Sequence, residues 1–332
     1  MKSYTEEFEG TSYKQYGGFI MKIEDLHYDP PAEPISEENW DLGKWRKEMP
    51  MDYLKALFLI LQADNCEVQT EIFKTVYHVT RMHVPDVLYK YYSLSDNETK
   101  NMRKFQTLSD GKIYMSNIQE FNDPFDGKGF FYDPSKLMDI ERLKAHGGRY
   151  IDDFTNYIRG TCFTSNGVQS MPMWAHYSGN HTGFCVAYDT KANMELKTNV
   201  FPVQYTDDRL DVTTLMKKQA QIISEKIDQS EKKGQRITIL DDHSIVYMAL
   251  LLYNIKHISW SYEQEFRCTT ASNSPGMPFI DAKPKAIYIG MNCVSVHAQR
   301  LQEIADSWQI PVYQMCFDEC IGTFELTAKE VN

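Results

Sequence analysis

The sequence contains no apolar stretch that approaches the roughly 20 residues needed to cross a membrane. Its first residues, MKSYTEEFEG, are polar and acidic, which is not the pattern of a secretion signal. The seven cysteines form no close CxxC pair, and four lie in apolar runs where cysteine serves as a small hydrophobic side chain. We therefore expect a reduced, cytoplasmic protein without a membrane partner.

Positive charge is scarce, since 35 Lys and Arg stand against 46 Asp and Glu, for a net charge of -11. This balance does not favour nucleic acid as a partner, because neutralising phosphates requires clustered Lys and Arg. The patterns GxGxxG, GxxxxGK[ST], GxSxG and HExxH are also missing. Their absence argues against common dinucleotide oxidoreductases, P-loop NTPases, α/β-hydrolases and zincins.

Hydrophobic residues make up 42% of the chain, enough for one large domain with an appendage. Residues 1–85 are predicted to form an extended arm followed by helices, because apolar residues recur at helical spacing after Asp52. Residues 86–332 mix short β-branched and aromatic runs with clustered helices, including a helical insertion at 213–257. The pattern predicts an α+β fold with a split sheet that is mixed or antiparallel, flanking helices, a helical N-terminal extension and this insertion.

Short apolar and aromatic runs give the individual elements of the second region. A helix with a Gly-Gly break is predicted over PSKLMDIERLKAHGGRYIDDFTNYIRG, and another helix over VSVHAQRLQEIADSW. Strands are predicted in VLYKYYS, GKIYMSN, TCFTSN, GFCVAYD, VFPVQYTDD, YEQEFRCTT, KAIYIGM and IPVYQMCF.

The segment YEQEFRCTT carries the sharpest chemical pattern. If it is one strand, Glu263, Glu265 and Arg267 lie on the same face, because alternate residues share a face. The guanidinium would keep at least one carboxylate ionised, and an ionised carboxylate can stabilise a positively charged transition state. The alternative is an exposed strand face with a cross-strand ion pair worth under ~1 kcal/mol.

The segment FNDPFDG places Asn122, Asp123 and Asp126 around Pro124. It predicts either a substrate loop or divalent-cation site, or a well-made turn whose Asn and Asp side chains bond to the local backbone. A Ca²⁺ loop needs more oxygen ligands at fixed spacing. We therefore assign no residue of this segment as a metal ligand.

The segment MPMWAHYSGNHTGFCVAYD, residues 171–189, places a short amphipathic helix and a turn before an apolar strand. A zinc site needs three or four convergent His or Cys ligands, whereas His176 and His181 are five residues apart with a glycine between them. A hydrogen-bonding or pocket-lining histidine is the favoured alternative. We expect Trp174 and Tyr177 to form one wall of a cleft with His176 near its floor.

Taken in order, these motifs resemble a known family. VLYKYYS, LSDGKIYMSNIQEFNDPFDG, MWAHYSGNHTGFCVAYD, YEQEFRC and AIYIGM are similar to the family known as domain of unknown function 2971, found in bacteria and their phages. The resemblance spans about residues 86–320 and is interrupted by the helical insertion. The family name implies no activity.

A more distant similarity is to ADP-ribosyltransferase folds, which bind NAD in the cleft of a split sheet. It rests on the order of a LYKY strand, a helical stretch, a DGKIYMS strand and a late strand with Glu-x-Glu. This similarity implies NAD as cofactor, with Lys90 holding a ribose or phosphate and Tyr114 or Tyr177 stacking on nicotinamide. The implied site has Glu265, Glu263 and His176 as catalytic residues, and Lys90, Tyr114, Asn122, Asp123, Trp174, Tyr177 and Arg267 as cofactor-binding residues.

Three functions follow as hypotheses. The first is an NAD-using ADP-ribosyltransferase-like enzyme, acting as a toxin or defence effector. The second is a non-catalytic sensor module that binds a small molecule in the cleft and a protein partner through the N-terminal helices. The third is a metal-dependent nuclease or phosphoesterase built on Asp123, Asp126, Glu263 and His176.

Overall fold

The computed structural model describes residues 84–150, 158–234, 252–271, 278–320 and 322–331, together with three short strands near the N-terminus. Those three strands form a small antiparallel sheet of their own. They are β1 (Glu6–Glu7), β2 (Ser12–Lys14) and β3 (Ile20–Lys22). The helices predicted between residues 52 and 82, and their role as a partner surface, lie outside the described residues.

A nine-stranded sheet organises the described part of the second region, in the order β10-β14-β8-β4-β9-β16-β17-β18, with β6 paired to β8. Only β16 and β17 run parallel among these neighbours. The strands are β4 (Val87–Tyr92), β6 (Ser116–Asn117), β8 (Ile158–Thr164), β9 (Phe184–Asp189), β10 (Val200–Pro202), β14 (Glu265–Ala271), β16 (Pro284–Ile289), β17 (Val312–Cys316) and β18 (Thr327–Glu330).

Three further strand pairs flank this sheet. They are β5 (Lys112–Tyr114) with β15 (Phe279–Asp281), β7 (Phe130–Phe131) with β12 (Leu210–Asp211), and β11 (Gln204–Thr206) with β13 (Ile255–His257). The helices are α1 (Glu98–Ser109), α2 (Glu141–Lys144), α3 (Met171–Tyr177), α4 (Met194–Asn199), α5 (Thr213–Lys233) and α6 (Ser295–Trp308). Short 3₁₀ helices occupy Ile118–Glu120, Pro134–Leu137 and Ile258–Glu263.

The main sheet is split between β4 and β8. These two strands pair at a single position, Tyr89 opposite Thr164. By contrast, β4 pairs with β9 at six positions, and β8 pairs with β14 at seven. The strands therefore diverge in the middle of the sheet. Lys90 donates across the gap to the carbonyl of Cys162, and β6 pairs with β8 at Arg159 and Gly160.

Apolar side chains cover both faces of the sheet. The larger buried cluster joins α1 and α6 to one face through residues such as Phe105, Phe184 and Leu301. A smaller cluster joins α3 to the other face, where Trp174 packs edge-on against Tyr91 with ring centroids 5.0 Å apart. These two layers hold the split strands in place.

The predicted α+β class is confirmed, as are the sheet's mixed character and the flanking helices. Several element boundaries were wrong. Ile158–Gly160, predicted as helix, belong to β8, and VFPVQYTDD forms two strands in different sheets, separated at Val203. Strand β18 was not predicted, because TAKE lacks the apolar alternation on which the prediction depended.

The helical insertion is confirmed at its start, since α5 covers Thr213–Lys233 and ends on left-handed Gly234. Its predicted end was wrong, because Ile255–His257 form strand β13 beside β11. Residues 235–251 lie outside the described part. Every helix in the described part is too short or too polar to cross a membrane.

Candidate functional site

A buried network of charged side chains lies beside the split. Lys256, at the centre of β13, donates from Nζ to Glu263 Oε2 at 2.7 Å and to Glu265 Oε2 at 3.0 Å. Arg267, on β14, donates from Nε to Glu265 Oε1 at 2.7 Å. None of these four side chains is more than 3% exposed. The structure therefore excludes the exposed ion pair that was the alternative for this segment.

Arg267 extends the network to the FNDPFDG loop. Its Nη2 pairs with Asp126 Oδ1, and its Nη1 donates to the carbonyl of Tyr253 at 2.8 Å. Three carboxylates and two cations are thus brought together in the interior. Buried charges persist only when they are paired and hydrogen-bonded in this way.

The two glutamates have opposite acidities. Burial pushes the pKa of Glu265 upward, but the charges of Arg267 and Lys256 outweigh it and hold that pKa well below its ordinary value. Burial, followed by repulsion from Glu265, raises the pKa of Glu263 above its ordinary value. Glu265 is therefore a fixed anion, whereas Glu263 is the carboxylate better able to accept a proton.

One predicted residue reaches Glu263 directly, and a second reaches it through the first. Tyr177, at the end of α3, donates its hydroxyl to Glu263 Oε1, and Asn122 Nδ2 donates to the Tyr177 hydroxyl at 3.2 Å. Burial and the Glu263 carboxylate raise the pKa of Tyr177, so its hydroxyl stays protonated and remains a donor. The short helix α3 thus positions one functional side chain, as expected.

A small cavity of about 90 Å³ opens at this network, with room for several water molecules. Its lining includes Lys90, Cys162, Tyr177, Glu263 and Glu265. Lys90 spans the split, donating to the carbonyl of Cys162 at 3.3 Å. Burial lowers the pKa of Lys90 below its ordinary value, although Cys162 and Glu265 favour the charged form.

A wider cleft of about 940 Å³ adjoins the cavity, because Lys90, Phe121 and Cys162 line both. Five basic side chains and one acidic side chain line this cleft, in a protein whose net charge is -11. Aromatic rings provide much of the remaining surface. The basic residues are Lys90, Lys100, Arg103, Lys104 and Lys112, and the aromatic ones are Tyr92, Tyr114, Phe121 and Phe279.

Helix α1 supplies three of the basic residues, and local sequence explains why the helix begins where it does. The side chain of Asn97 accepts from the backbone N–H of Lys100 at 3.0 Å, which caps the first turn. The helix ends at Asp110, before Gly111 turns the chain into β5 with φ 64°. Tyr114, at the end of β5, is 45% exposed at the cleft.

The structure does not bring every predicted residue to the network. Trp174 has no exposed surface and donates Nε1 to the carbonyl of Val168 at 2.7 Å, so it belongs to the core rather than to a cleft wall. His176 is exposed on α3 and lines neither the small cavity nor the basic cleft. Asp123 faces a different cavity. Trp174 and His176 lie apart because the seven-residue helix turns its apolar side inward.

Lys256 is the main residue that the sequence did not reveal. It lies near the end of the predicted helical insertion, where a lysine suggests a solvated helix face. Its signal is only indirect, since NIKHIS, where the predicted insertion ends, contains two β-branched isoleucines. The sequence placed Asp126 in a substrate loop, a cation site or a turn, and did not predict that this carboxylate pairs with Arg267.

The donor set of the network does not suit a metal. In the part of the chain that the structure describes, no group of three or more His, Cys, Asp and Glu side chains is arranged to hold an ion. The three buried carboxylates instead face the side-chain cations Lys256 and Arg267.

A family model described as protein of unknown function (DUF2971) matches residues 173–268. No match was found among curated proteins or among solved structures. The matched residues include the MWAHYSGNHTGF and YEQEFRC motifs, whereas β4 and the FNDPFDG loop lie outside the match. The resemblance to that family is therefore confirmed for the segment that contributes Tyr177, Lys256, Glu263, Glu265 and Arg267 to the site.

Proposed function

We propose that the chain is an NAD-using ADP-ribosyltransferase-like enzyme. The observation that supports this most directly is the junction of a basic, aromatic-lined cleft with a cavity that contains Glu263. NAD carries a diphosphate, two ribose groups and two ring systems. Lys and Arg side chains suit the diphosphate, aromatic faces suit the rings, and a volume of about 940 Å³ lies in the range of small-molecule sites.

The charge distribution fits cleavage of the bond between nicotinamide and ribose. When that bond breaks, its electron pair leaves with nicotinamide and positive charge develops on the ribose, as in glycoside cleavage. A fixed carboxylate nearby stabilises such charge. In this proposal the acting group is Glu263, which can also accept the proton that an attacking water or hydroxyl loses, while Glu265 holds Lys256 and Arg267 in place.

The sequence similarity implies both Glu265 and Glu263 as catalytic residues, whereas this proposal gives the catalytic role to Glu263. Both Glu265 oxygens are held by Arg267 and Lys256, whereas Glu263 Oε1 contacts only the neutral hydroxyl of Tyr177 among its hydrogen-bond partners. Exchanging a neutral hydroxyl for a substrate group requires less reorganisation than breaking a charged pair. Lys90 and Tyr114 keep their proposed roles at the phosphate and at a ring.

The test is release of nicotinamide from NAD by the purified protein, measured by chromatography. Glu263→Gln is expected to reduce the rate by about a hundredfold or more, since it removes the negative charge that stabilises the transition state. Glu141→Gln, at an exposed position on α2, serves as the matched control and retains the rate. Calorimetry measures NAD binding separately from cleavage, and the Glu263→Gln variant is expected to retain NAD binding.

A second candidate is the non-catalytic ligand-binding module. All four carboxylate oxygens of Glu263 and Glu265 have hydrogen-bond partners, an arrangement typical of a structural network. This candidate predicts that NAD or another nucleotide binds without any release of nicotinamide. Failure of every nucleotide to bind would remove the enzyme and leave only a module that binds a ligand of another class or a protein.

The proposed setting is the cytoplasm of the producing or invaded cell, where such an enzyme would act as a toxin or defence effector. The six cysteines in the described part are free thiols, which supports a reducing compartment. Growth arrest on expression, relieved by Glu263→Gln, is the expected cellular result.

A further inference from the structure

A second large cavity, of about 890 Å³, shares Lys256 with the buried network and is separate from the basic cleft. Three aromatic side chains form part of its wall. Phe125 is 53% exposed and Phe131 is 39% exposed, and Trp260 lies beside Lys256. Large exposed rings that converge on one cavity present flat, electron-rich faces to a ligand.

Carboxylates form another part of the wall. Asp123 is 5% exposed, and its Oδ1 accepts from the backbone N–H of Phe125 at 2.9 Å. Its Oδ2 is buried with no hydrogen-bond partner among the described residues. Burying a carboxylate oxygen without a hydrogen-bond donor costs free energy, so a donor from outside the described chain would stabilise this atom. Asp207 and Asp208 line the same cavity.

The cations that line the cavity are already engaged. Lys256 is held by Glu263 and Glu265. Arg209 donates to the carbonyls of Lys128 and Phe130, with its guanidinium 5.7 Å from the centre of the Phe131 ring. Asp207 and Asp208 have no ion pair within the described residues. The carbonyls leave the Arg209 charge in place, so it offsets one of the three aspartates and the remaining charge at this cavity is negative.

We propose that this cavity binds a flat organic cation of the amidinium or guanidinium type. Such a group donates two parallel N–H bonds to a carboxylate and stacks on an aromatic face, which a compact ammonium does less well. Asp123 provides the buried acceptor, Trp260, Phe125 and Phe131 provide the faces, and Asp207 and Asp208 provide the surrounding field. The proposal does not rest on NAD binding, because the two cavities are lined by different residues apart from the shared network.

The test uses benzamidine as the probe, with benzamide as its neutral counterpart of the same shape and benzoate as the anionic one. Calorimetry on the full chain is expected to give a millimolar or tighter Kd for benzamidine, with benzamide at least about tenfold weaker because it lacks the charge. Equal binding of benzamidine and benzamide, or tighter binding of benzoate, would overturn the proposal. So would the absence of any binding heat at about 10 mM benzamidine.

Variants locate the binding within the protein. Asp123→Asn keeps an oxygen for the Phe125 N–H and is expected to weaken benzamidine binding by at least about fivefold. The double variant Asp207→Asn with Asp208→Asn gives a second readout if the first does not fold. Asp96→Asn, exposed and outside this cavity, is the control and is expected to bind as the parent does. Unchanged affinity in both the Asp123 variant and the double variant would overturn the assignment.

Discussion

Glu265 lies at the candidate site, and its role is to hold the neighbouring charged side chains in place in the folded protein. Its carboxylate receives hydrogen bonds from Arg267 on one oxygen and from both Lys256 and Arg267 on the other. Removing one member of a buried charged group leaves the others without compensation. Replacing Glu265 is therefore expected to lower the stability of the protein directly and to lower its activity only as a consequence.

Glu265→Gln is predicted to lower the free energy of unfolding by about 3 kcal/mol, because Arg267 and Lys256 lose a buried counter-charge. Urea denaturation followed by fluorescence measures this. Glu141→Gln, at an exposed position on α2, is expected to change stability by less than about 0.5 kcal/mol. Equal stability of the two variants would show that the network contributes nothing to folding.

The same carboxylate predicts a pH dependence. Its pKa in the folded protein lies well below the value of about 4.3 expected in the unfolded chain. The stability it provides is therefore complete above about pH 4.3 and is lost as the pH falls toward its folded pKa. The stability difference between the parent and Glu265→Gln should be constant from about pH 8 to pH 6 and should narrow between about pH 5 and pH 3. A difference that widens in acid would contradict this.

Lys256 marks the limit of what this sequence reveals about the site. Alternation within YEQEFR brought Glu265 and Arg267 together correctly, because both lie on one strand. Lys256 joins them through the parallel pairing of β13 with β11, a contact between segments about fifty residues apart. Although Lys256 lies only seven residues before Glu263, no local pattern encodes the strand pairing that places it there, so the counter-charge of Glu263 could not be predicted.

The turn between α3 and β9 fits its surroundings closely. Asn180 and His181 adopt positive φ, and the carbonyl of Gly183 accepts from the backbone N–H of Gly290 at 2.9 Å. A Cβ at Gly183 would lie 1.9 Å from the carbonyl oxygen of Tyr92. Strand β9 can hydrogen-bond along β4 only because this position has no side chain.

Gly183→Ala is predicted to destabilise the protein by about 3 kcal/mol, because the strands must move apart at their start. Gly147→Ala is the matched control, since Gly147 has φ 63° but no atom within 4 Å of the position that an added methyl group would take. It is expected to cost only about 1 kcal/mol, from backbone strain alone. Thermal unfolding of both variants provides the comparison, and similar losses would show that the close approach is unimportant.

The start of β14 shows why strand patterns alone misplace residues. Period-two alternation predicted Glu263 on the same strand face as Glu265, but Glu263 ends a 3₁₀ helix and Gln264 adopts φ 45°. The element types were predicted for β4, β8, β9, β16 and α6, whose apolar patterns are long. Shorter runs were broken by tertiary pairing, as in GKIYMSN, where β5 pairs with β15 and β6 pairs with β8.

Across the whole molecule, charge is distributed unevenly. The net charge is -11, yet the cleft beside the split carries five basic side chains and one acidic one. Field lines concentrate in such a cleft, which attracts anions despite the overall sign of the protein. An anionic ligand is therefore expected to bind there in a salt-dependent manner.

NAD binding is predicted to weaken by about threefold or more between about 50 and 300 mM NaCl, because salt screens partly exposed charges. Arg103→Gln combined with Lys112→Gln should lower the affinity and flatten the salt dependence, since both residues line the cleft. Lys329→Gln, on the exposed strand β18, should do neither. Calorimetry at a series of salt concentrations measures the affinity for NAD and its salt dependence. An affinity that does not change with salt would show that NAD binds outside this cleft.

The single pairing between β4 and β8 has a consequence for amide hydrogen exchange. Each strand pairs along its length with its outer neighbour, whereas β6 covers the inner side of β8 only at Arg159 and Gly160. The remaining backbone groups that face the gap form an inner edge within an otherwise continuous sheet. Amides along that edge are expected to exchange with deuterium sooner than those that hydrogen-bond to the outer neighbouring strands. A ligand that enters the gap would slow exchange on this inner edge, so the sheet itself reports its occupancy.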